Sequence, residues 1–227
     1  MPFLSENSFF PIFITLSTYE VGRAIQKKWK HPLWNPILIA SVLTASILVV
    51  LKIPVETYQS GCAPLQYLLT PATICYALGL YEQMEALKKQ LLAILVGILC
   101  GSAASLFSIR VMASLFSLDD ILTVSLLPKS ITTAIGMALS QEAGGIAALT
   151  TAAIVITGIL GNVFGESLCR LFRLHHPVAQ GVSFGTASHA IGTSKAMEIS
   201  QLAGAVSSLS LTVAGLITVV LFSFMLA

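Results

Sequence analysis

Five long runs of the sequence contain no Asp, Glu, Lys or Arg, and they constrain the fold more than any other feature. Each is close to or longer than the roughly 20 residues with which a helix spans about 30 Å of hydrocarbon. Only 10% of the residues are charged and 56% are hydrophobic, whereas about a quarter of a soluble domain is charged. The sequence therefore predicts an all-α polytopic membrane protein with about six to eight transmembrane segments. The runs are His31–Leu51, Thr57–Tyr81, Gln90–Ile109, Ala143–Gly165 and Ile199–Ala227.

The distribution of basic residues predicts the orientation of the N-terminal helices. A first helix over Ser8–Ile25 leads into a loop that contains Lys27, Lys28 and Lys30. The positive-inside rule puts this loop in the cytoplasm and the N-terminus outside. We expect no cleavable signal peptide, because the apolar stretch precedes the basic cluster and no small-residue cleavage site follows.

The rest of the chain is predicted to form further helices within one integral-membrane domain, residues 1–227. Its parts are N-terminal helices (1–60), a broken helix plus a crossing (61–120), and two units that each combine a half-helix with a crossing (121–176 and 177–227). The predicted helices are Asn35–Leu51, Pro64–Tyr81 with a break at Leu69–Thr73, Gln90–Phe116, Ile146–Phe172 and Ala203–Leu226.

The segment around Lys129 is predicted to enter the membrane without crossing it. Basic residues at 88–89 and at 170–176 should both be cytoplasmic, so an even number of crossings separates them. The predicted helices Gln90–Phe116 and Ile146–Phe172 already supply two crossings. The charge-free piece Ser130–Gln141 is also short, since its 12 residues make a helix of roughly 18 Å. The alternative is a tilted full crossing that tolerates Lys129.

A second polar segment, Gly181–Glu198, is predicted to dip in from the opposite side. The motif T-T-A-I-G at Thr132–Gly136 is echoed by S-H-A-I-G at Ser188–Gly192, 56 residues later. T-G-I-L at Thr157–Leu160 is echoed by A-G-L-I at Ala214–Ile217, 57 residues later. Two matches at nearly one offset indicate an inverted repeat with re-entrant or discontinuous half-helices, a design typical of transporters.

Lys129 is the strongest candidate for an anion-binding residue. A charged side chain at the bilayer centre costs about 3 kcal/mol on insertion scales, so it needs a partner or water. Pro128 before it and a helix after it would place it at a helix N-terminus, which favours an anion. The alternative is a lysine that snorkels to the outer headgroups.

The second polar segment offers His189, whose imidazole can donate to a carboxylate or take up a proton near physiological pH. Lys195 is a further candidate, although a simple pair with Glu198 at i, i+3 explains it as well. Hydroxyls beside Pro71 and Pro128 complete the set. The predicted substrate-binding residues are Thr70, Thr73, Lys129, Ser130, Thr132, Thr133, Ser188, His189, Thr193 and Lys195.

Several other functions have no support in the sequence. The four cysteines are widely spaced without a C-x-x-C, so neither a disulfide nor a metal site is expected. No G-x-S-x-G, H-E-x-x-H or Walker-type loop is present, so we expect no enzyme and no nucleotide-driven pump. We also expect no cofactor, and the net charge of +2 gives no indication of nucleic-acid binding.

Sequence blocks spread along nearly the whole chain resemble the LrgB/CidB family. The most specific are L-L-P-K-S-I-T-T (Leu126–Thr133) and G-T-A-S-H-A-I-G-T-S-K-A (Gly185–Ala196). The chain departs from the usual pattern at Gly79 and Ala134, where proline is expected, and at Ala203–Val206, where an acidic turn is common. The remaining blocks are N-P-I-L-I (Asn35–Ile39), L-T-P-A-T (Leu69–Thr73), G-L-Y-E-Q (Gly79–Gln83), G-I-A-A-L-T (Gly145–Thr150) and S-S-L-S (Ser207–Ser210).

The resemblance implies a multi-pass protein of the bacterial inner membrane that acts with a small holin-like partner of the LrgA/CidA type. It implies either transport of small monocarboxylates such as pyruvate or glycolate, or antiholin-like control of murein hydrolase activity, autolysis and programmed cell death. The polar half-helices favour transport. A homo-oligomer is also expected.

Overall fold

The computed structural model describes residues 9–29 and 34–226, and the regular secondary structure in these ranges is helical. Ser8, the first residue of the first predicted helix, lies outside the described residues. The chain divides into two compact units, Met1–Cys75 and Tyr76–Ala227. The helices are α1 (Phe9–Lys28), α2 (Pro36–Leu51), α3 (Val55–Gly61), α4 (Ala63–Tyr67), α5 (Leu69–Glu82), α6 (Met84–Lys89), α7 (Leu91–Leu115), α8 (Asp120–Leu126), α9 (Thr133–Glu142), α10 (Ala147–Leu171), α11 (Pro177–Ile199) and α12 (Gln201–Leu226).

The first unit is built on the pairing of α1 with α2. Thr18 Oγ1 of α1 lies 3.0 Å from Thr44 Oγ1 of α2, a polar contact of the kind that joins helices in an apolar environment. Asn35 caps α2, because its side chain accepts a hydrogen bond from the Ile37 backbone N–H at 2.9 Å. Pro36 occupies the first helical position, where its missing N–H costs nothing.

The predicted break within Pro64–Tyr81 is misplaced. This part of the chain forms two helices, α4 and α5, which are separated at Leu68, one residue before the predicted break at Leu69–Thr73. Pro71 therefore lies in the first turn of α5. A proline is tolerated there because the first N–H groups of a helix have no partner within the helix.

Three helices of the second unit, α7, α10 and α12, are long and apolar enough to cross a membrane, and within the described ranges no others meet both conditions. α7 and α12 run in the same direction. Ile98 of α7 packs with Val206 of α12 in one hydrophobic cluster. Later in both helices, Leu106 packs with Phe222 in a second cluster. Two helices whose early residues meet and whose late residues meet must be parallel.

α11 folds back on itself at Ser188 and His189. The backbone angles φ/ψ are −132°/15° at the first residue and 42°/−137° at the second, both outside the helical region. A Cβ added to Gly192 would lie 2.8 Å from the carbonyl oxygen of Phe184. These residues are eight positions apart, and eight residues of a continuous helix rise about 12 Å. α11 is therefore a hairpin of two helical halves, α11a (177–187) and α11b (190–199).

α8 and α9 form a similar hairpin. A Cβ added to Gly136 would lie 3.3 Å from the carbonyl oxygen of Pro128, again eight residues earlier. Near the open end of this hairpin, Ser125 Oγ accepts a hydrogen bond from the Ile146 backbone N–H at 2.7 Å. The close pair Pro128/Gly136 precedes the close pair Phe184/Gly192 by 56 residues, the offset of the sequence repeat.

α10 and α12 run in opposite directions beside the second hairpin. Along α11a, Gly181 faces the Ala203 carbonyl oxygen and Gly185 faces the Ser207 carbonyl oxygen, so α11a and α12 are parallel. Phe184 of α11a faces Gly165 of α10, and Ser188, just beyond the end of α11a, faces Gly161. The residue numbers on α10 therefore fall as those on α11a rise. α10 is therefore antiparallel to α11a and to α12.

Candidate functional site

Lys129 lies half-buried in the turn between α8 and α9, held by two serines. Its Nζ donates to Ser130 Oγ at 3.0 Å and contacts Ser105 Oγ of α7 at 3.4 Å. The two serine oxygens are 2.9 Å apart. Within the described residues, Lys129 makes no ion pair with a carboxylate. A partly desolvated ammonium with only hydroxyl partners is a favourable position for a bound anion.

The prediction that a helix follows Lys129 directly is wrong. The residues from Leu127 to Ile131 form turns, and α9 begins only at Thr133 with Thr132 in the N-cap position. The Thr132 side chain makes no capping hydrogen bond. Thr132 and Thr133 are both half-buried. The N-terminus of α9 therefore comes four residues after Lys129 in the chain.

His189 forms the tip of the second hairpin and is buried, with 5% of its surface exposed. Its Nε2 lies 3.0 Å from the backbone carbonyl oxygen of Ile154 in α10. A carbonyl oxygen only accepts hydrogen bonds, so Nε2 must carry a proton. In the neutral ring, Nδ1 then remains as an acceptor. The ring packs on Gly158, where an added Cβ would lie 2.7 Å from Cε1.

The neighbours of His189 fix the shape of this tip. Ser188 packs against Gly161, and a Cβ at that glycine would overlap the serine side chain. Thr193 Oγ1 donates to the His189 carbonyl oxygen at 2.9 Å and lies 2.8 Å from Ser207 Oγ of α12. Asn162 Nδ2 donates to the Ile191 carbonyl oxygen at 2.8 Å. Gly158 and Gly161 therefore allow the second hairpin to pack closely on α10.

The two hairpin tips share neighbours in α10 and α7. Ile154 contacts both hairpins, since its carbonyl oxygen faces His189 and its side chain faces Gly136. In α7, Gly101 faces Thr186 of the second hairpin, and Ser105, one turn later, contacts Lys129 of the first. These contacts lie near the middle of both 25-residue helices. The structure therefore places both tips at one level of the second unit.

Lys195, Thr70 and Thr73 are not part of these contacts. Lys195 Nζ lies 2.9 Å from Glu198 Oε2 and 3.3 Å from Glu166 Oε2, so the predicted pair with Glu198 is present and a second carboxylate joins it. Thr70 is exposed on α5. The side chain of Thr73 lies outside the described residues. The site residues that the structure brings into contact are Lys129 with Ser130, and Ser188, His189 and Thr193 around the second tip.

Three partners of the candidate site were not predicted from the sequence. Ser105 lies within the charge-free run Gln90–Ile109, and Ser207 lies in a run of small residues typical of helix packing. The Ile154 carbonyl belongs to the backbone, so no residue type marks it. The only sequence signal for Ser105 is its i, i+3 spacing from Ser102, which places two hydroxyls on adjacent parts of one helix face.

Comparison with known proteins identifies similar chains over almost the whole length. Residues 15–227 match the family model described as the LrgB-like family. The uncharacterized protein YwbG of Bacillus subtilis (strain 168) is 32% identical over 216 residues, which are 95% of this chain and 96% of that protein. The antiholin-like proteins LrgB of Bacillus mycoides (strain KBAB4) and Bacillus cereus (strain B4264) are each 35% identical over 213 residues, 93% of either chain. No solved structure matches this chain.

Proposed function

This chain belongs to the LrgB-like family, and we propose that it carries small monocarboxylates, such as pyruvate or glycolate, across the bacterial inner membrane. The proposal includes a small holin-like partner of the LrgA/CidA type and no catalytic role. The observation that supports it most is Lys129, a half-buried ammonium with serine partners and without an ion pair among the described residues.

The carboxylate of the substrate would bind at Lys129. One negative charge neutralises the ammonium. Ser105 and Ser130 share one hydrogen bond, so whichever hydroxyl accepts it can donate its own hydrogen to a carboxylate oxygen. The N-terminus of α9 follows Thr132, whose side chain makes no capping hydrogen bond, and would add positive potential a few residues from Lys129 in the chain. A small monoanion therefore satisfies both the charge and the hydrogen-bond donors of the site.

The arrangement of the helices supports a transport mechanism based on an inverted repeat. The unit made of the α8–α9 hairpin and α10 is followed by the unit made of the α11 hairpin and α12, and the two long helices run in opposite directions. Each hairpin would then enter from its own side of the membrane, and the tips would meet near the midplane. Relative movement of the two units would open the site to one side at a time.

The distribution of charge supports an assignment of the two sides. Leu87 at the end of α6 packs with Val178 at the start of α11, so Lys88 and Lys89 lie at the same end of the second unit as the loop that contains Arg173. The positive-inside rule makes this end cytoplasmic. With that orientation the α8–α9 hairpin opens to the outside, and the α11 hairpin opens to the cytoplasm.

The test is uptake of labelled pyruvate and glycolate into proteoliposomes, with and without the holin-like partner. Lys129→Ala should reduce uptake at least 100-fold, whereas Lys52→Ala, at the exposed end of α2, should leave it unchanged. Monodisperse elution in detergent would show that both variants are folded. Uptake that is unaffected by Lys129→Ala would exclude this residue as the substrate site, and no uptake by the unaltered protein with its partner would exclude the carrier.

The second candidate is a regulator of a holin-like pore that transports nothing itself. The similar proteins of Bacillus mycoides and Bacillus cereus are named antiholin-like, and that name favours this function. A regulator would act through an exposed helix face and would not need to bind a carboxylate, so cell lysis should be unaffected by Lys129→Ala. A carrier whose transport underlies the lysis phenotype should respond to this substitution.

A further inference from the structure

The pairing of α1 with α2 brings basic and aromatic side chains together at one end of the first unit. A Cβ added to Gly22 would lie 2.7 Å from the Pro36 carbonyl oxygen, and Thr18 lies opposite Thr44. Because residue numbers fall on α1 as they rise on α2, the two helices are antiparallel. The end of α1 therefore meets the start of α2. The residues there that we call the Lys–Trp cluster are Lys27, Lys28, Trp29 and Trp34.

The two lysines of the cluster carry positive charge that no carboxylate of the described residues balances. Neither forms an ion pair within these ranges, and Arg23, about one turn earlier, is already paired with Glu20 at 2.7 Å. The C-terminal end of a helix attracts cations, but its dipole is equivalent to only about half an elementary charge. Two ammonium groups exceed that charge, so the cluster attracts an anion.

The two tryptophans form an exposed aromatic pair beside the lysines. Their ring centroids lie 4.9 Å apart, and Trp29 and Trp34 are 51% and 39% exposed. Lys28 Nζ lies 5.8 Å from the centre of the Trp29 ring, within the range of a cation–π contact. Indole rings combine a polar N–H with a wide apolar surface and prefer the boundary between lipid headgroups and acyl chains. The pair therefore indicates that the cluster lies at this boundary.

The rest of the α1–α2 pair has an apolar outer surface. Leu16 and Val21 of α1 and Val42 of α2 are exposed, and α2 has no charged residue along its 16 positions. A free inorganic phosphate ion would gain nothing from this surface, whereas the acyl chains of a lipid would cover it. The cations, the indoles and the apolar surface together fit an anionic phospholipid.

We propose that the Lys–Trp cluster binds the headgroup of an anionic phospholipid. The phosphate lies at Lys27 and Lys28, and the acyl chains follow the exposed apolar side chains of α1 and α2. Each indole N–H can donate a hydrogen bond to a phosphate or ester oxygen. This lipid site depends neither on the anion site at Lys129 nor on transport, and it gives the first unit a binding function of its own.

The tryptophan fluorescence of the full-length protein reports on this site alone, because the sequence contains only these two tryptophans. The protein is reconstituted into vesicles of phosphatidylcholine with a minor fraction of phosphatidylglycerol. Bromine on the acyl chains of one lipid at a time quenches the rings that this lipid contacts. The relative affinity for phosphatidylglycerol should be at least tenfold higher, since each lysine near an anionic headgroup strengthens the attraction about fivefold.

The double variant Lys27→Gln/Lys28→Gln should reduce this preference to below about twofold. The matched control is Lys88→Gln/Lys89→Gln, which removes two exposed lysines from the last turn of α6 and should leave the preference intact. Monodisperse elution in detergent would show that both variants are folded. The preference of the unaltered protein should also weaken in 1 M salt, because screening reduces the attraction between exposed charges.

Three results would overturn the lipid site. The first is quenching by brominated phosphatidylglycerol in proportion to its share of the bilayer. The second is a preference that survives in Lys27→Gln/Lys28→Gln. The third is loss of quenching on addition of inorganic phosphate beyond that caused by chloride at the same ionic strength, which would show that the cluster binds free phosphate and not a lipid.

Discussion

His189 and Ile154 join the tip of one hairpin to the helix that follows the other. The imidazole Nε2 lies 3.0 Å from the Ile154 carbonyl oxygen, and the Ile154 side chain faces Gly136 of the first hairpin. The contact orients the ring so that Nδ1 is the nitrogen left for other partners. It also holds His189 at a positive φ of 42°, a backbone conformation that a non-glycine residue adopts only when its surroundings fix it.

The first prediction separates the structural role of His189 from its function. His189→Gln retains an N–H that can reach the Ile154 carbonyl oxygen, so we expect a loss of unfolding free energy below about 1 kcal/mol. His189→Ala loses this donor and the packing on Gly158, and should cost about 2–3 kcal/mol. Thermal unfolding in detergent measures both.

Uptake should respond differently from stability to the same two substitutions. An amide does not titrate near physiological pH, so His189→Gln should transport without the pH dependence of the unaltered protein. Uptake by both proteins is compared from pH 5.5 to 8. An identical pH profile for the two would show that His189 is a positioning residue at the tip and takes no part in proton transfer.

The second prediction concerns the space that Gly161 provides. A Cβ at this position would overlap the Ser188 side chain, so Gly161→Ala must displace the tip of the second hairpin. We expect a loss of about 1–3 kcal/mol in unfolding free energy and at least a tenfold loss of uptake. Gly79→Ala is the matched control, because a Cβ at Gly79 has no neighbour within 4 Å and alanine favours the helix. Equal effects of the two substitutions would contradict the packing of Ser188 on Gly161.

The sequence was sufficient for the three long apolar helices of the second unit, but not for the path of the chain at the polar breaks. Hydropathy located α7, α10 and α12 to within two residues at each end, because a long apolar run has few alternatives. A re-entrant segment over Gly181–Glu198 was predicted, but not that the chain turns at Ser188 and His189, because no proline or other break signal marks these two residues. The contacts of Ser105 and Ser207 depend on which helices become neighbours, and local patterns do not contain that information.

The third prediction is that Lys195 acts as a structural ion-pair partner. It lies between Glu198 of its own helix and Glu166 of α10, with 18% of its side chain exposed. Lys195→Met should lower the unfolding free energy by about 1 kcal/mol or less, since both carboxylates are largely solvated. The difference from the unaltered protein should shrink in 1 M salt because of screening.

Lys195→Met should have little effect on substrate recognition, in contrast to Lys129→Ala. Because its ammonium is already paired with carboxylates, the substitution should change the KM for pyruvate by less than about twofold. Glu166→Gln, which removes one partner but retains its size, should behave in the same way. A rise in KM of tenfold or more for Lys195→Met alone would show that Lys195 is a substrate-binding residue.

The fourth prediction tests whether the two hairpins open to opposite sides of the membrane. Gln141 lies at the exposed end of α9, and Gln201 lies exposed where α12 begins after the second hairpin. Single cysteines at these positions are introduced after Cys62, Cys75, Cys100 and Cys169 are replaced by serine or alanine. A membrane-impermeant maleimide should label position 141 from the outside and position 201 only in inverted vesicles, because each hairpin returns to the side from which it entered. Labelling of both positions from one side would mean that an even number of crossings separates them, and the inverted-repeat arrangement would have to be abandoned.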